Sequence, residues 1–432
     1  MIKEFLQRKA AEWALKSKWG LSVYDIIETS NDRGTGYSYN KAVNEGYLGT
    51  DVVYSAVDLI ASNVSSVPIK AMLKTSGADG DEEAPEDHPL NKILRNPNPL
   101  QRGNLFKYGL VAFRLLGGKA YAWVNTGITD TTNPDAEPLE LWALSPVSAS
   151  LRMEGGSMWY QVNKHSSGNC AGPVIPMSNI PIDAVSGRSN LIDWSTFNPK
   201  NLCDGVSPLQ PADANLDIYR YGNFWNRAYF RQGCRPSTAL VSKEGIPDKS
   251  YQRMKKELNE VYSGIENGNG RPIILDNGVT PQELSKNPKD ADFSNSHDQM
   301  QKDIARAFRI PPILLNIGGD TTYSNQKEAR LALWDDVIVP LTNDLCQELN
   351  ENIVPRFRDK NLYLAPDYSE IPALEERRKE MWERADKSTD LTIDERRALK
   401  GYPPLPSGAG QTLLVDSNKI PIDMASITIP QE

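Results

Sequence analysis

The stretch Asp204-Gly205-Val206-Ser207-Pro208-Leu209-Gln210 decides how the chain is read, because it is a strong helix start. Ser207 stands at the N-cap position, Pro208 opens the first turn, and Gln210 completes a capping box three residues after the cap. Leu209, Ala212, Leu216 and Tyr219 follow at helical spacing, and Gly233 with Pro236 ends the run. At about 1.5 Å per residue this helix is roughly 36 to 40 Å long, longer than most helices of compact domains. Phe224, Trp225, Tyr229 and Phe230 gather along it. Base stacking is one use for such a set. Packing between neighbouring helices or subunits is the expected one.

Downstream the chain makes a compact excursion and returns. Residues 237–242 read as a strand, and Asp248 caps a helix carrying Tyr251, Met254, Leu258 and Val261. Residues 272–275 then lead through Asn277-Gly278, a preferred hairpin pair, into a strand at 279–285. The glycine-rich stretch 264–270 lacks the Lys and Ser/Thr of a phosphate loop and reads as a turn. A second helix lines up Met300, Ile304, Ala307 and Phe308 and stops at Pro311-Pro312. Next comes a loop of Ile317, Gly318, Gly319, Asp320, Thr321, Thr322 and Tyr323, in which Asp320 is the one charge. Asn325 and Glu328 are expected to cap a long amphipathic helix through Trp334, Ile338, Leu341, Leu345 and Leu349, kinked at Pro340. Residues 362–364 are strand-like, and 373–400 form a charged helical stretch with Glu375 four residues before Lys379. From Tyr402 the Pro/Gly-rich tail reads as loosely ordered.

Upstream, residues 51–67 place Val53, Ala56, Val57, Ile60, Ala61 and Val64 on one helical face, with Thr50 or Asp51 to cap it and Pro68 to stop it. The acidic, proline-bearing stretch 77–88 reads as a solvated loop and not as a nuclease-like carboxylate cluster. A second apolar-faced helix runs over 100–116 to Gly117-Gly118. Between 119 and 182 the period falls to two, with strands around Tyr121, Leu141 and Trp159. Residues 1–19 hold Phe5, Leu6, Trp13 and Leu15 among lysines and arginines; a membrane-surface helix is conceivable, an arm resting on the protein is expected. Glycine and asparagine then predict a poorly ordered connection up to Tyr47.

The bulk numbers bound the function. At 432 residues the chain exceeds what a single core usually supports, and 39% hydrophobic with 24% charged residues is ordinary for a folded soluble protein. No apolar run approaches the length of a membrane span, and the N-terminus meets charge too early for a secretory signal, which predicts an intracellular product. A net charge of −8 argues against a protein that grips DNA by neutralising phosphates, although an acidic protein can still surround DNA. Cys170, Cys203, Cys234 and Cys346 are scattered and read as free thiols, and His88, His165 and His297 share no face. Neither a metal site nor a cofactor is expected.

In their order these pieces resemble the portal proteins of tailed double-stranded DNA phages. The likeness is concentrated in residues 205–349. It rests on Gly205-Val-Ser-Pro-Leu209 opening a long helix, Asp292-Phe293 before the returning helix, and the run from Ile304-Ala-Arg-Ala-Phe308 through Ile310-Pro311-Pro312 to Leu315. Thr322-Tyr-Ser-Asn325 with Glu328-Ala329, and Val339-Pro340-Leu341 inside a long helix, complete it.

The resemblance implies an α+β subunit with this layout: an N-terminal arm at 1–48, partly disordered; an α/β wing at 49–204; stem helices at 205–234 and 290–311; a small β-α-β-β clip at 235–289; a tunnel loop at 312–325; a kinked helix with the rest of the wing at 326–372; and a helical crown with tail at 373–432. It implies Ile317 to Tyr323 at the narrowest part of a DNA channel, and Leu216, Tyr219, Phe224, Trp225, Tyr229, Met300, Ile304 and Phe308 in stem or subunit packing. Lys249, Arg253, Lys256, Asn267 and Asn269 of the clip would meet motor and adaptor. The implied assembly is a ring, a dodecamer, at one vertex of the virion, formed in the host cytoplasm. Its implied partners are double-stranded DNA held without sequence preference, the terminase large subunit, a head–tail adaptor, and the major capsid and scaffold proteins, with no membrane.

The competing readings fare worse. A packaging motor needs G-x-x-x-x-G-K-[ST], which does not occur, and Gly205-Val-Ser-Pro-Leu fails the G-x-S-x-G of a serine hydrolase at its last position. No catalytic residue is assigned. Another ring-forming head-completion or minor capsid protein shares the composition but not the helix–excursion–helix–loop–kinked-helix order. A sequence-specific DNA binder would want a basic recognition helix, and Arg220, Arg227 and Arg231 are dispersed among apolar side chains.

Overall fold

The computed structural model describes residues 37–75, 81–127, 133–154, 157–163, 175, 178–201, 203–231, 238–242, 247–249, 251–253, 256, 279–283, 293–318, 322–388, 390–402, 404–415 and 420–421. The connection expected to be poorly ordered is helical from Tyr39: Ser38 caps a turn at Tyr39–Lys41 that widens into a π turn at Ala42–Tyr47. It is held by contacts no local pattern announces. Tyr37 donates from its hydroxyl to the Leu116 carbonyl (2.6 Å), and Lys41 bridges Asp213 and Asp217 at 2.9 and 3.0 Å.

Helix α1 (Asp51–Ser66) buries the six apolar positions that its spacing predicts. Thr50 stands at its N-cap but bonds the Glu45 carbonyl (2.8 Å), while Asp51 Oδ1 accepts from the Val52 N–H at 2.9 Å. Strand β1 (Ile69–Leu73) follows, and β2 (Glu82–Glu83) joins its edge, so part of the acidic stretch read as loop is strand. After α2 (Pro89–Arg95), α3 (Gly103–Gly117) packs along α1 and closes on Gly118, whose φ of +76° a side chain would strain.

Strands β3 (Lys119–Asn125), β4 (Glu140–Leu144), β5 (Ala149–Glu154), β6 (Ser157–Val162), β7 (Asn179–Pro181) and β8 (Leu191–Ser195) form two antiparallel sheets, ordered β4-β3-β8 and β5-β6-β7. Tyr121, Trp123, Leu144, Ala149, Tyr160, Ile180 and Leu191 make a small core of their own.

Helix α4 (Asp213–Arg231) leads to β9 (Thr238–Ser242), which pairs antiparallel with β10 (Val279–Glu283) before α5 (Phe293–Ala307) returns along α4. A 3-10 turn at Pro312–Leu315 precedes α6 (Tyr323–Leu333) and α7 (Val339–Asn352), which one π turn at Trp334–Ile338 joins. That wide turn answers Pro340. Proline has no N–H for the Asp336 carbonyl and its ring would press against that oxygen, so the backbone opens there and Val339 bonds back to Trp334. Thr322, not Asn325 or Glu328, caps α6, accepting from the Asn325 N–H at 3.4 Å.

Strand β11 (Leu362–Pro366) returns to pair with β1. The main core gathers α1, α3, α7, β11 and the near ends of α4 and α5. The charged stretch beyond it is two helices, α8 (Glu375–Lys387) and α9 (Ile393–Leu399), because Thr392 and Glu395 form a capping box that restarts the chain. Glu375 and Lys379 pair at 2.9 Å. A short pair, β12 (Leu414–Val415) with β13 (Ile420–Pro421), lies in the tail expected to be loose.

Candidate assembly helices and channel loop

The turn at Gly205–Gln210 is fixed by a backbone crossing. A Cβ on Gly205 would overlap the Gly118 carbonyl oxygen, and one on Gly118 would lie 2.6 Å from both the Gly205 oxygen and the Val206 nitrogen. Thr196, just past β8, locks the crossing: its N–H donates to the Gly118 carbonyl (2.8 Å), and its hydroxyl accepts from the Val206 N–H at 2.8 Å. Ser207 accepts from the Leu209 N–H (3.0 Å) and donates to the Leu115 carbonyl (2.7 Å). The capping box expected with Gln210 is replaced by a 3-10 turn, Gln210–Ala212, in which the Gln210 N–H bonds the Ser207 carbonyl at 3.0 Å. Ser207 therefore braces the chain before this 3-10 turn, whose N-cap residue is Leu209, and ties it to the end of α3.

Of the side chains predicted to pack along the helix pair, the structure divides the set. Leu216, Tyr219, Ile304 and Phe308 are buried, Met300 is half-buried, and all five lie in or against the subunit's own core. Tyr219 stacks on His297 with ring centroids 4.2 Å apart, donates to Asp51 Oδ1 (2.8 Å) and accepts from the Gln301 amide (3.1 Å). Phe224 and Trp225 are exposed, and the side chain of Tyr229 lies outside the described residues.

Ile218 and Tyr221 are exposed as well, at 52% and 70%. With Pro211, Ala214 and Trp225 they recur at alternating steps of three and four, all exposed. This outer stripe is displaced by two residues, about 200° of helix, from the inner one of Leu209, Ala212, Leu216 and Tyr219. The stretch from Leu209 into α4 is thus apolar on two opposite faces, and the described residues cover one of them.

In the loop predicted to meet DNA, Ile317 is buried, Gly318 has a φ of +59°, Thr322 serves as the cap of α6, and Tyr323 is 85% exposed. Gly319, Asp320 and Thr321 lie outside the described residues. The loop's own charge is not the whole field: the Lys302 side chain comes against Gly318 from α5, with Cε 3.3 Å from where a Cβ would sit. In the excursion, Lys249, Arg253 and Lys256 are exposed, while Asn267, Asn269, the stretch 264–270 and the hairpin turn lie outside the described residues.

Two carboxyls sit between β8 and α7. Burial pushes Asp193 up to about 6 and Glu348 up to about 7, with further like charges (Glu351, Asp193 and Asp344) adding to the second. Lys119 pairs with Asp204 at 2.5 Å and Arg114 with Asp344 at 2.5 Å, the arginine also stacking on Trp194. Cys203 and Cys346 are free thiols; Cys170 and Cys234 lie outside the described residues. Among the described residues no three His, Cys, Asp or Glu side chains are placed to hold a metal, and no helix is long and apolar enough to cross a membrane.

Residues 51–401 match the family model described as phage portal protein, and the chain belongs to that family. It is 31% identical to an uncharacterized protein of Rickettsia bellii over 91% of this chain and 98% of the relative. The portal protein of Enterobacteria phage HK97 is 20% identical over 86% of this chain and 84% of that one. Among solved structures, a chain from the neck of an empty GTA particle, computed with C6 symmetry, superposes with a TM-score of 0.61 at 26% identity, covering 89% of this chain and all of that one.

Proposed function

We propose that the chain is the subunit of a closed ring, a dodecamer, at one vertex of a virion head, and that the ring is the channel for genome packaging and ejection. The observation that carries the reading is the second apolar face of α4. Each subunit buries Leu216 and Tyr219 internally and leaves Ile218, Tyr221 and Phe224 exposed towards a neighbour. An exposed stripe of this kind marks an interaction surface. Repeated head to tail, a patch meeting a different patch closes into a ring. The symmetric neck from which the similar chain comes supports the same arrangement.

In this reading the helix pair α4 and α5 is the stem, residues 235–289 the clip that meets the terminase large subunit and then an adaptor, and 312–325 the tunnel loop. Residues 49–204 and 326–372 form the wing, and 373–432 the crown, the side towards capsid and scaffold proteins. Duplex DNA passes through without sequence-specific contact. The chain does no chemistry of its own; its family is a structural one.

Electron microscopy and native mass measurement of the purified full chain test the proposal. Rings with a central channel wide enough for duplex DNA are expected. Tyr221→Asp should release monomers that keep the native circular dichroism, since it puts a charge on the outer stripe alone. A wild-type chain that stays monomeric across concentrations and salts would overturn the reading.

A further inference from the structure

A recess of about 580 Å³ opens between the start of β1, helix α2, the start of α3 and Leu349 of α7. Four cations line it, Lys70, Arg95, Arg102 and Lys107, against two carboxylates, Glu83 and Glu86. Lys70 pairs with Glu83 and Asp367 at 3.0 and 3.2 Å, and Arg95 with Glu86 at 3.6 Å. Among the described residues no carboxylate pairs with Arg102 or Lys107, so the recess keeps a surplus of positive charge.

Lys107 lies one turn into α3 and is half-buried, whereas Arg102 is exposed. The Lys107 Nζ donates to the carbonyl of Val67, the residue that ends α1, at 2.5 Å. Burial without a counter-charge pulls its ammonium down to about 8. An amine at that value is roughly one-quarter uncharged at pH 7.5, against about one-thousandth for an ordinary lysine. Lower basicity takes back only part of that gain. The uncharged amine can give one N–H to Val67 and still offer its lone pair, which is what a nucleophile needs. The surplus positive charge draws anions to the recess.

We propose that Lys107 is a site of acylation by anionic acyl donors, the acyl phosphates, which the recess admits and the unpaired Arg102 attracts. The Lys107 nitrogen attacks the acyl carbon and a C–N bond forms. The C–O bond to phosphate breaks, phosphate leaves with the bonding pair, and the proton on nitrogen passes to water. The resulting amide keeps one N–H for the Val67 carbonyl but removes the positive charge from the end of α1, where a cation is favourable. The proposal does not rest on the ring reading, because amine, recess and Arg102 belong to one chain.

The test treats the purified full chain with acetyl phosphate at pH 7.5 and reads the acetylation rate of each lysine by peptide mass spectrometry. Lys107 is expected to react at least about tenfold faster than the exposed Lys200 and Lys360, and its rate should level off above about pH 8. The preference should vanish in concentrated urea, since the fold creates it. Arg102→Ala should slow acetyl phosphate about threefold more than the neutral donor N-succinimidyl acetate. A Lys107 rate no higher than those of Lys200 and Lys360, a preference that survives urea, or an equal effect of Arg102→Ala on both donors would each overturn the proposal.

Discussion

Gly205→Ala separates the backbone crossing from ordinary capping chemistry. Gly205 does not have a positive φ, so an alanine there suffers no conformational strain of its own. Its methyl would instead meet the carbonyl of Gly118, and behind that oxygen stands the end of α3, fixed by Thr196 and by the main core. Neither side is a flexible side chain that can swing away. Overpacking costs about 1 to 3 kcal/mol where neighbours can give. Here backbone meets backbone, which puts the expected loss at the top of that range, about 3 kcal/mol.

Gly187→Ala is the control: φ is +71°, nothing lies within 4 Å, and only the left-handed strain of about 1 kcal/mol remains. Urea unfolding of both variants, with Gly118→Ala and the double variant, reads the difference. Once one methyl has pushed the strands apart the second has room, so the double variant should lose clearly less than the sum. A Gly205→Ala protein within about 0.5 kcal/mol of wild type, or strict additivity, would refute the crossing as the reason for this glycine.

Tyr219→Phe keeps the stack on His297 but loses the bonds to Asp51 and Gln301, and should cost about 1 kcal/mol in urea unfolding; no loss would mean those bonds are replaced by water. Glu348 is held near 7 by burial, so its protonated form favours the fold: its contribution is full below about 4.5 and fades as pH rises to 7. Glu348→Gln should therefore flatten the fall in stability between pH 5 and 7.5, and a gap between variant and wild type that does not change with pH would sink the assignment. Asp320→Lys, adding positive charge to the loop, is expected to slow DNA passage; unchanged packaging and ejection rates would show that the loop's charge does not matter.

Periodic signals were legible in the sequence: α1 and α3, with Gly118 at the end of the second, and the order from Ser207 through Pro340. What escaped was non-local or doubly encoded. Nothing near Ile69 announces that it pairs with Pro366, and nothing near Gly205 announces Gly118. Strands β5 and β7 are largely exposed or half-buried, and β8 buries the adjacent Leu191 and Ile192, so a period of two has little room to show. Thr322 was read as part of a loop because its capping role depends on where α6 begins, one residue later. Leu209, Ala212, Leu216 and Tyr219 recur at helical spacing into α4, and the structure buries all four. The same three-and-four rhythm two residues out of step, Pro211 to Trp225, carried the outer stripe and went unread beside it. The aromatics stand out in the sequence, whereas Ile218 and Tyr221, which share their exposed face, do not.

The wide turn at Trp334–Ile338 has a consequence for how this chain tolerates change. An α-helix advances about 100° per residue, so one extra residue in a turn rotates everything before it, as seen from everything after it, by that angle. The turn works as a phase shifter between α6 and α7. Helix α7 stays keyed to β11 through Cys346 and Asn350, which both reach the Leu364 carbonyl, while α6 carries Thr322 and Tyr323 on an independent azimuth. A single-residue deletion within 334–338 would turn α6 relative to α7, while Pro340 would still interrupt the hydrogen-bond ladder at their junction. A change of one codon could thus re-aim the loop while leaving its sequence intact.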